Sequence, residues 1–183
     1  MARLDRLIIV DVEATCWEKN QKPPGEVSEI IEIGICIFDL KLWQLLGKPN
    51  RIVVRPTESK VSKYCTSLTG WTQKELDRQG IPFVDACSLL TSSYNTKNLP
   101  WASWGDYDRG QFERECKRKD IKYPFNVNHL NLKTLFAIHA NISKAVGMKE
   151  ALQMVGLNLE GKHHSGRDDA WNIGRILEKQ GRF

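Results

Sequence analysis

Residues 7 to 10 of this chain, Leu-Ile-Ile-Val, run straight into Asp11-Val12-Glu13. A run of apolar, mostly β-branched residues reads as a buried strand. Side chains two positions apart on a strand point to the same side, so Asp11 and Glu13 share one face at its end. Carboxylates that close repel each other and lose hydration, and something cationic must compensate them. The chain must therefore fold so that this strand end meets further ligands of a cation.

The length of 183 residues allows one domain with a proper core, so residues 1–183 are read as a single domain. A composition of 41% hydrophobic and 27% charged residues excludes collagen-like and disordered chains. The formal net charge of +5 favours an anionic partner only mildly. Cys16, Cys36, Cys65, Cys87 and Cys116 are odd in number, widely spread and without a CxxC pair. That pattern argues against a disulfide framework or a thiolate zinc site and fits a reducing cytosol. The apolar run near the start is too short for a signal peptide, and no stretch approaches the roughly 20 apolar residues of a membrane span. The expectation is a soluble cytoplasmic protein.

A polar loop with Pro23, Pro24 and Gly25 follows the first strand. SEIIEIGICIFDL then alternates as a second strand, with Ile31, Ile33, Ile35 and Ile37 on one face, and a turn around Gly47 to Asn50 leads into a third, RIVVRP. Three strands with no helix between them form an antiparallel meander. Beyond Pro56, helices are expected over 60–67, 72–79 and 82–94, a strand at LPWASW, a helix at DYDRGQFERECKRK and a fifth strand near Val127. Helices at 131–140 and 147–155 precede a last one, DDAWNIGRILEKQ, stopped by Gly181. The fold class is α/β: a mixed five-stranded sheet, three antiparallel strands then two parallel, flanked by helices. Sites in such sheets lie at strand ends, where Asp11 and Glu13 fall.

Two more clusters sit in similar places. WASWGDYD sets Asp106 directly after an apolar strand, and HHSGRDDAWNIGRIL sets two histidines and two aspartates at the entry to the last helix. Carboxylate oxygens suit Mg²⁺ or Mn²⁺. A pair of such ions can clamp the attacking and leaving oxygens of a phosphodiester, while a histidine of near-neutral pKa takes the proton of the attacking water. In the last cluster Asp169 shares a helix face with Ile173 and Ile176, so it points inward, whereas Asp168 can start the helix. Periodicity leaves His163 and His164 as alternatives.

The ordered set VDVEATCW, SLTGWT, SWGDYDR and HHSGRDDAWNI resembles the DEDDh exonucleases of the DnaQ-like, ribonuclease H-like fold. It is most similar to the Eri-type 3′ to 5′ exoribonucleases, the group of the histone-mRNA exonuclease. The resemblance implies two divalent ions, Mg²⁺ or Mn²⁺, on Asp11, Glu13, Asp106 and Asp169, with His164 as general base. It also implies contacts to the terminal nucleotide from Ala14, Thr15, Leu68 and Thr69, and a base-stacking role for Tyr64, whose alternative is core packing. The implied partner is the 3′ end of single-stranded RNA, with DNA left open, and release of nucleoside 5′-monophosphates. Arg167 departs from the family pattern, where an apolar residue is usual. A chain of this length leaves no room for the extra RNA-binding domain of some animal relatives.

Other readings remain beside this one. A haloacid-dehalogenase-like phosphatase also begins with a strand and an acidic pair, but Glu13 replaces its second aspartate. A catalytically inactive nucleic-acid-binding module on the same fold would bind RNA without turnover. Lys117, Arg118, Lys119 and Lys122 either guide a phosphate backbone or form a solvated helix end, and the latter is favoured. Trp17 and Trp71 are candidates for lining the cleft, while Trp43, Trp101, Trp104 and Trp171 are read as packing residues.

Overall fold

The computed structural model describes residues 4–19 and 21–182. Residues 1–3, 20 and 183 lie outside the described residues. Strands β1 (Arg6–Ala14), β2 (Ile30–Asp39) and β3 (Gln44–Val53) form the antiparallel meander. Strand β4 (Trp101–Ser103) pairs in parallel with β1, and β5 (His129–Asn131) in parallel with β4, giving the order β3-β2-β1-β4-β5. Helices α1 (Lys63–Thr69), α2 (Gln73–Gln79) and α3 (Phe83–Tyr94) precede β4, and α4 (Tyr107–Arg118) links β4 to β5. The chain continues through α5 (Leu132–His139), α6 (Met148–Met154) and α7 (Gly166–Gln180). This is the mixed sheet the sequence led us to expect.

Strand β1 is buried on both faces. Ile8, Val10 and Val12 pack with Phe83, Leu90 and Phe112 of α3 and α4. Leu7 and Ile9 pack with Phe136, Leu152, Ile173 and Leu177 of α5, α6 and α7. Each such side chain contributes roughly 1.5–3 kcal/mol by burial, so a one-residue slip of register would be heavily penalised. The same alternation turns Asp11 and Glu13 toward the α7 side. In β2, Ile33, Ile35 and Ile37 face the α3–α4 layer as expected, whereas Ile31 joins a separate cluster with Cys65, Trp71 and Leu76.

Helix α7 lies against β2 more closely than any side chain would permit. A Cβ on Gly34 would sit 1.8 Å from the carbonyl oxygen of Gly166. Glycine at position 34 thus lets the N-terminus of α7 reach the strand ends.

Several boundaries differ from the sequence expectation, among them that of α1, expected over 60–67 but running over Lys63–Thr69. The turn between β2 and β3 falls at 40–43 rather than 47–50, because Asp39 Oδ1 accepts the N–H groups of Lys41 and Leu42 at 2.8 and 2.7 Å and Trp43 adopts φ 61°. Gly47 and Pro49 are consequently inside β3, which tolerates proline because it is a sheet edge. The fifth strand starts at His129, and Val127 is 92% exposed. Helix α7 begins at Gly166, two residues before the expected start, so Asp168 lies in its first turn instead of capping it. Its carboxylate accepts the N–H of Lys162 at 3.0 Å.

Candidate active site

Asp11 and Glu13 meet Asp169 at the α7 end of the sheet: one carboxylate oxygen from each lies within 4.8 Å of the others. The third expected ligand, Asp106, does not join them. It precedes α4, its side chain is 57% exposed, and it is held by Asn131 Nδ2 at 2.7 Å and Arg109 Nη2 at 3.2 Å. Asp108, two residues on, is buried and lines the cleft with Asp11, Glu13 and Asp169. Its Oδ1 accepts the backbone N–H of Val12 at 2.8 Å, which seats this helix-borne carboxylate against the stretch of β1 that carries Asp11 and Glu13. The carboxylate set brought together is therefore Asp11, Glu13, Asp108 and Asp169.

The signal for Asp108 was in the sequence. Asp108, Phe112 and Glu115 recur at helical spacing and all face inward. The same periodicity that selected Asp169 over Asp168 selects Asp108 over Asp106.

The site is strongly acidic and short of cations. Burial, then the charges of Asp108, Asp169, Glu13 and Glu32, push Asp11 well above the ordinary carboxylate range. Burial and the charges of Asp169, Glu32, Cys65 and Asp108 raise Glu13 to about 8. Burial raises Asp108 to about 6 against the lowering effect of hydrogen bonds from Val12, its own backbone and Ser103. Burial also raises Asp169, opposed by His163 and the His164 N–H. Four carboxyls held protonated-prone by their mutual repulsion, with oxygens converging, fit a hard divalent cation and fit neither a soft metal nor an organic cofactor.

Both histidines border the cleft. His163 Nδ1 lies 3.0 Å from Asp169 Oδ2, and the backbone N–H of His164 donates to the same oxygen at 2.9 Å. The two rings stack with centroids 4.0 Å apart, and His164 adopts φ 63°, a conformation uncommon outside glycine. Burial and the positive charges of His163 and Lys162 lower the His164 pKa.

The expected substrate contacts divide. Ala14 and Leu68 line the cleft. Thr15 does not present its hydroxyl there, because it donates to Val27 O and accepts from Glu29 N–H. Thr69 is equally occupied, donating to Cys65 O and accepting from Trp71 N–H. Tyr64 is 44% exposed and borders a neighbouring hollow with Trp17, whose Nε1 donates to Glu26. Trp71 is buried against Glu32 and Arg51. Conversely Trp104, expected only to pack, both packs against the core and lines the cleft, as do Tyr107 and Met148, to which the sequence assigned no role; the cleft encloses about 370 Å³. The basic run behaves as a helix end: Arg118 and Lys119 pair with Glu58, and Lys119 also with Glu29. Arg167 pairs with Asp168 at 2.8 Å.

An exonuclease family model, of the RNase T type, matches residues 8–177. The chain belongs to this exonuclease family. The 3′-5′ exonuclease Snipper of Drosophila melanogaster is 32% identical over 193 residues, which cover 94% of this chain and 68% of Snipper. The 3′-5′ exoribonuclease 1 of Homo sapiens is 29% identical over 183 residues, covering 94% of this chain and 51% of its own. The chain spans only 28% of several further curated relatives. Among solved structures, the nuclease domain of 3′hExo, a DEDDh family member bound to rAMP, superposes with a TM-score of 0.83 at 27% identity, covering 96% of this chain and 90% of that one. The exonuclease thus has the ribonuclease H-like fold of the DEDDh 3′ to 5′ enzymes, a fold whose acidic cluster implies divalent metal ions. No helix of its described residues is long and apolar enough to cross a membrane.

Proposed function

We propose that this exonuclease removes nucleoside 5′-monophosphates from the 3′ end of single-stranded RNA, using Mg²⁺ or Mn²⁺ held by Asp11, Glu13, Asp108 and Asp169. The observation that carries the reading is the convergence of these four carboxyls, two from one strand and one from each of two helix starts, with raised pKa values and, among the described residues lining the cleft, no lysine or arginine. When bound, divalent ions supply charge neutralisation and Lewis-acid polarisation of the scissile phosphate. His164 takes the proton of the attacking water at an imidazole nitrogen, and its lowered pKa keeps that nitrogen free near neutral pH. The Asp169 carboxylate orients the histidine segment through the His164 backbone N–H. Leu68, Trp104, Tyr107 and Met148 offer apolar and aromatic surface to the terminal nucleoside, which favours stacking over base readout.

RNA as substrate is supported by the human relative, an exoribonuclease, and by the rAMP in the 3′hExo structure. The chain is one exonuclease domain, and the free state of all five cysteines suits a cytoplasmic setting. The test is incubation with 5′-labelled single-stranded RNA and its DNA counterpart in Mg²⁺, Mn²⁺ or EDTA. A ladder shortening from the 3′ end only with metal, and faster on RNA, is expected. Binding of RNA with no shortening in either metal would indicate a binding module instead.

A further inference from the structure

Among the described residues lining the carboxylate cleft there is no lysine or arginine, so the phosphates of a bound strand that lie beyond the scissile one must find their cations outside its rim. Tyr107 leads out of it. This side chain lines the cleft, is 55% exposed and stands at the start of α4. Arg114 follows seven residues later, two turns along the same face of that helix.

The three arginines of α4 differ in their partners. Arg109 pairs with Asp106 and Arg118 with Glu58, whereas Arg114, exposed, makes no ion pair among the described residues. It is nonetheless held in place. Arg114 Nη2 donates to Gln111 Oε1 at 2.9 Å, and the fully buried Gln111 is fixed in turn by donating from Nε2 to Ser28 O at 2.9 Å. Gly110 supplies the seat, since a Cβ there would lie 2.9 Å from Arg114 Nη1. Glycine inside a helix costs stability, and here it admits a guanidinium folded back along α4 toward Tyr107 and the cleft. The fork therefore stands three residues past the cleft aromatic with one donor taken by Gln111 and the others turned to solvent.

We propose that Arg114 binds a phosphate of the RNA strand on the 5′ side of the scissile linkage, so that the strand leaves the cleft across Tyr107 and follows α4. A guanidinium matches two phosphate oxygens at once, and Arg114 has no carboxylate to give up before it does so. The contact reads backbone and not base, so it adds affinity for any sequence. It is made equally before and during hydrolysis, and it shows in KM rather than kcat. The polarity of the strand on α4 rests on the exonuclease reading.

The experiment uses the full chain and a 5′-labelled single-stranded RNA in which one phosphate at a time, upstream of the scissile one, is replaced by an uncharged methylphosphonate. Affinity is read by fluorescence anisotropy in EDTA, and KM and kcat for removal of the terminal nucleotide are read in Mg²⁺. Neutralising one upstream position should weaken binding by the unaltered chain about tenfold, the size of one charge-assisted hydrogen bond. Arg114→Ala should bind the unmodified strand about tenfold more weakly, raise KM with kcat unchanged, and lose nothing further at that position. The slope of log affinity against log salt should fall by about 0.7 in this variant, and Arg114→Lys should keep it. Arg118→Ala should retain the position dependence. An Arg114→Ala chain with unchanged affinity and KM, or one that still loses affinity at every position where the unaltered chain does, would overturn the proposal. Anisotropy is read without turnover, so a chain that binds in this pattern and never shortens the strand would overturn the exonuclease reading and leave the Arg114 contact standing.

Discussion

The backbone N–H of Val12 donates to Asp108 Oδ1 at 2.8 Å, joining two residues 96 positions apart. This bond fixes the start of α4 against the end of β1 and makes Asp108, not Asp106, the neighbour of Asp11 and Glu13. Asp106, on the solvent side of the same turn, spends its oxygens on Asn131 and Arg109.

Replacing each aspartate separates the two. Asp108→Asn should lower kcat by more than the roughly 100-fold upper range for a residue that merely supports a metal ligand. Asp106→Asn should stay within a few fold, as fits a group in exposed ion pairs. Steady-state rates on one labelled RNA check both, and the reverse order would move the metal ligand back to Asp106.

The two histidines should also part. His164→Ala removes the general base and should cost about 10²–10⁴-fold in kcat with little change in KM. His163→Ala should cost less, because its Nδ1 serves Asp169 and leaves the proton transfer untouched. If His163→Ala were the more damaging variant, the assignment of the base would be reversed.

Metal-free protein should lose stability as pH rises. A carboxyl whose pKa is higher in the fold than in the unfolded chain contributes stability fully below the unfolded value, and loses it as pH climbs through the folded one. For Glu13 that window runs from 4.5 to about 8, and for Asp108 from 3.8 to about 6. The Tm in EDTA should therefore fall across this range, and Mn²⁺ should restore it by more at the alkaline end than at the acid end. Thermal melts at several pH values decide the point; a Tm in EDTA that rises with pH would count against an uncompensated acidic cluster.

Much of this was legible from sequence because it rests on periodicity. The alternation of β1 delivers Asp11 and Glu13 to one face, and the helical repeat from Asp169 through Ile173 and Ile176 turns Asp169 inward. What escaped depends on partners distant in the chain. Nothing near Thr15 or Thr69 reveals that Glu29, Val27, Cys65 and Trp71 will occupy their hydroxyls. Nothing near Val127 shows that the fifth strand pairs two residues later, where His129 meets Trp101. Asp108 differs in kind, because its helical spacing with Phe112 and Glu115 is itself present in the sequence and turns it, not Asp106, inward.

Glu32 is a further residue visible only in three dimensions. It is buried opposite Glu13 in the β1–β2 ladder, and accepts Trp71 Nε1 at 2.6 Å, the Arg167 N–H at 2.9 Å and Arg51 Nε at 3.2 Å. Glu32→Ala would orphan these donors, at roughly 1–3 kcal/mol for each one left buried. At about 2–4 °C per kcal/mol for a chain of this size, the Tm should drop by several degrees. An unchanged melt would show that the N-terminus of α7 is held by the Gly34 contact alone.

The most direct test of the account is an anomalous-scattering map of crystals grown with Mn²⁺ and a nucleoside 5′-monophosphate. The account predicts manganese peaks ligated by Asp11, Glu13, Asp108 and Asp169, with the phosphate beside them and Asp106 uninvolved. Manganese bound through Asp106 with Asp108 left on Val12 alone, or no manganese among the four carboxylates, would contradict it.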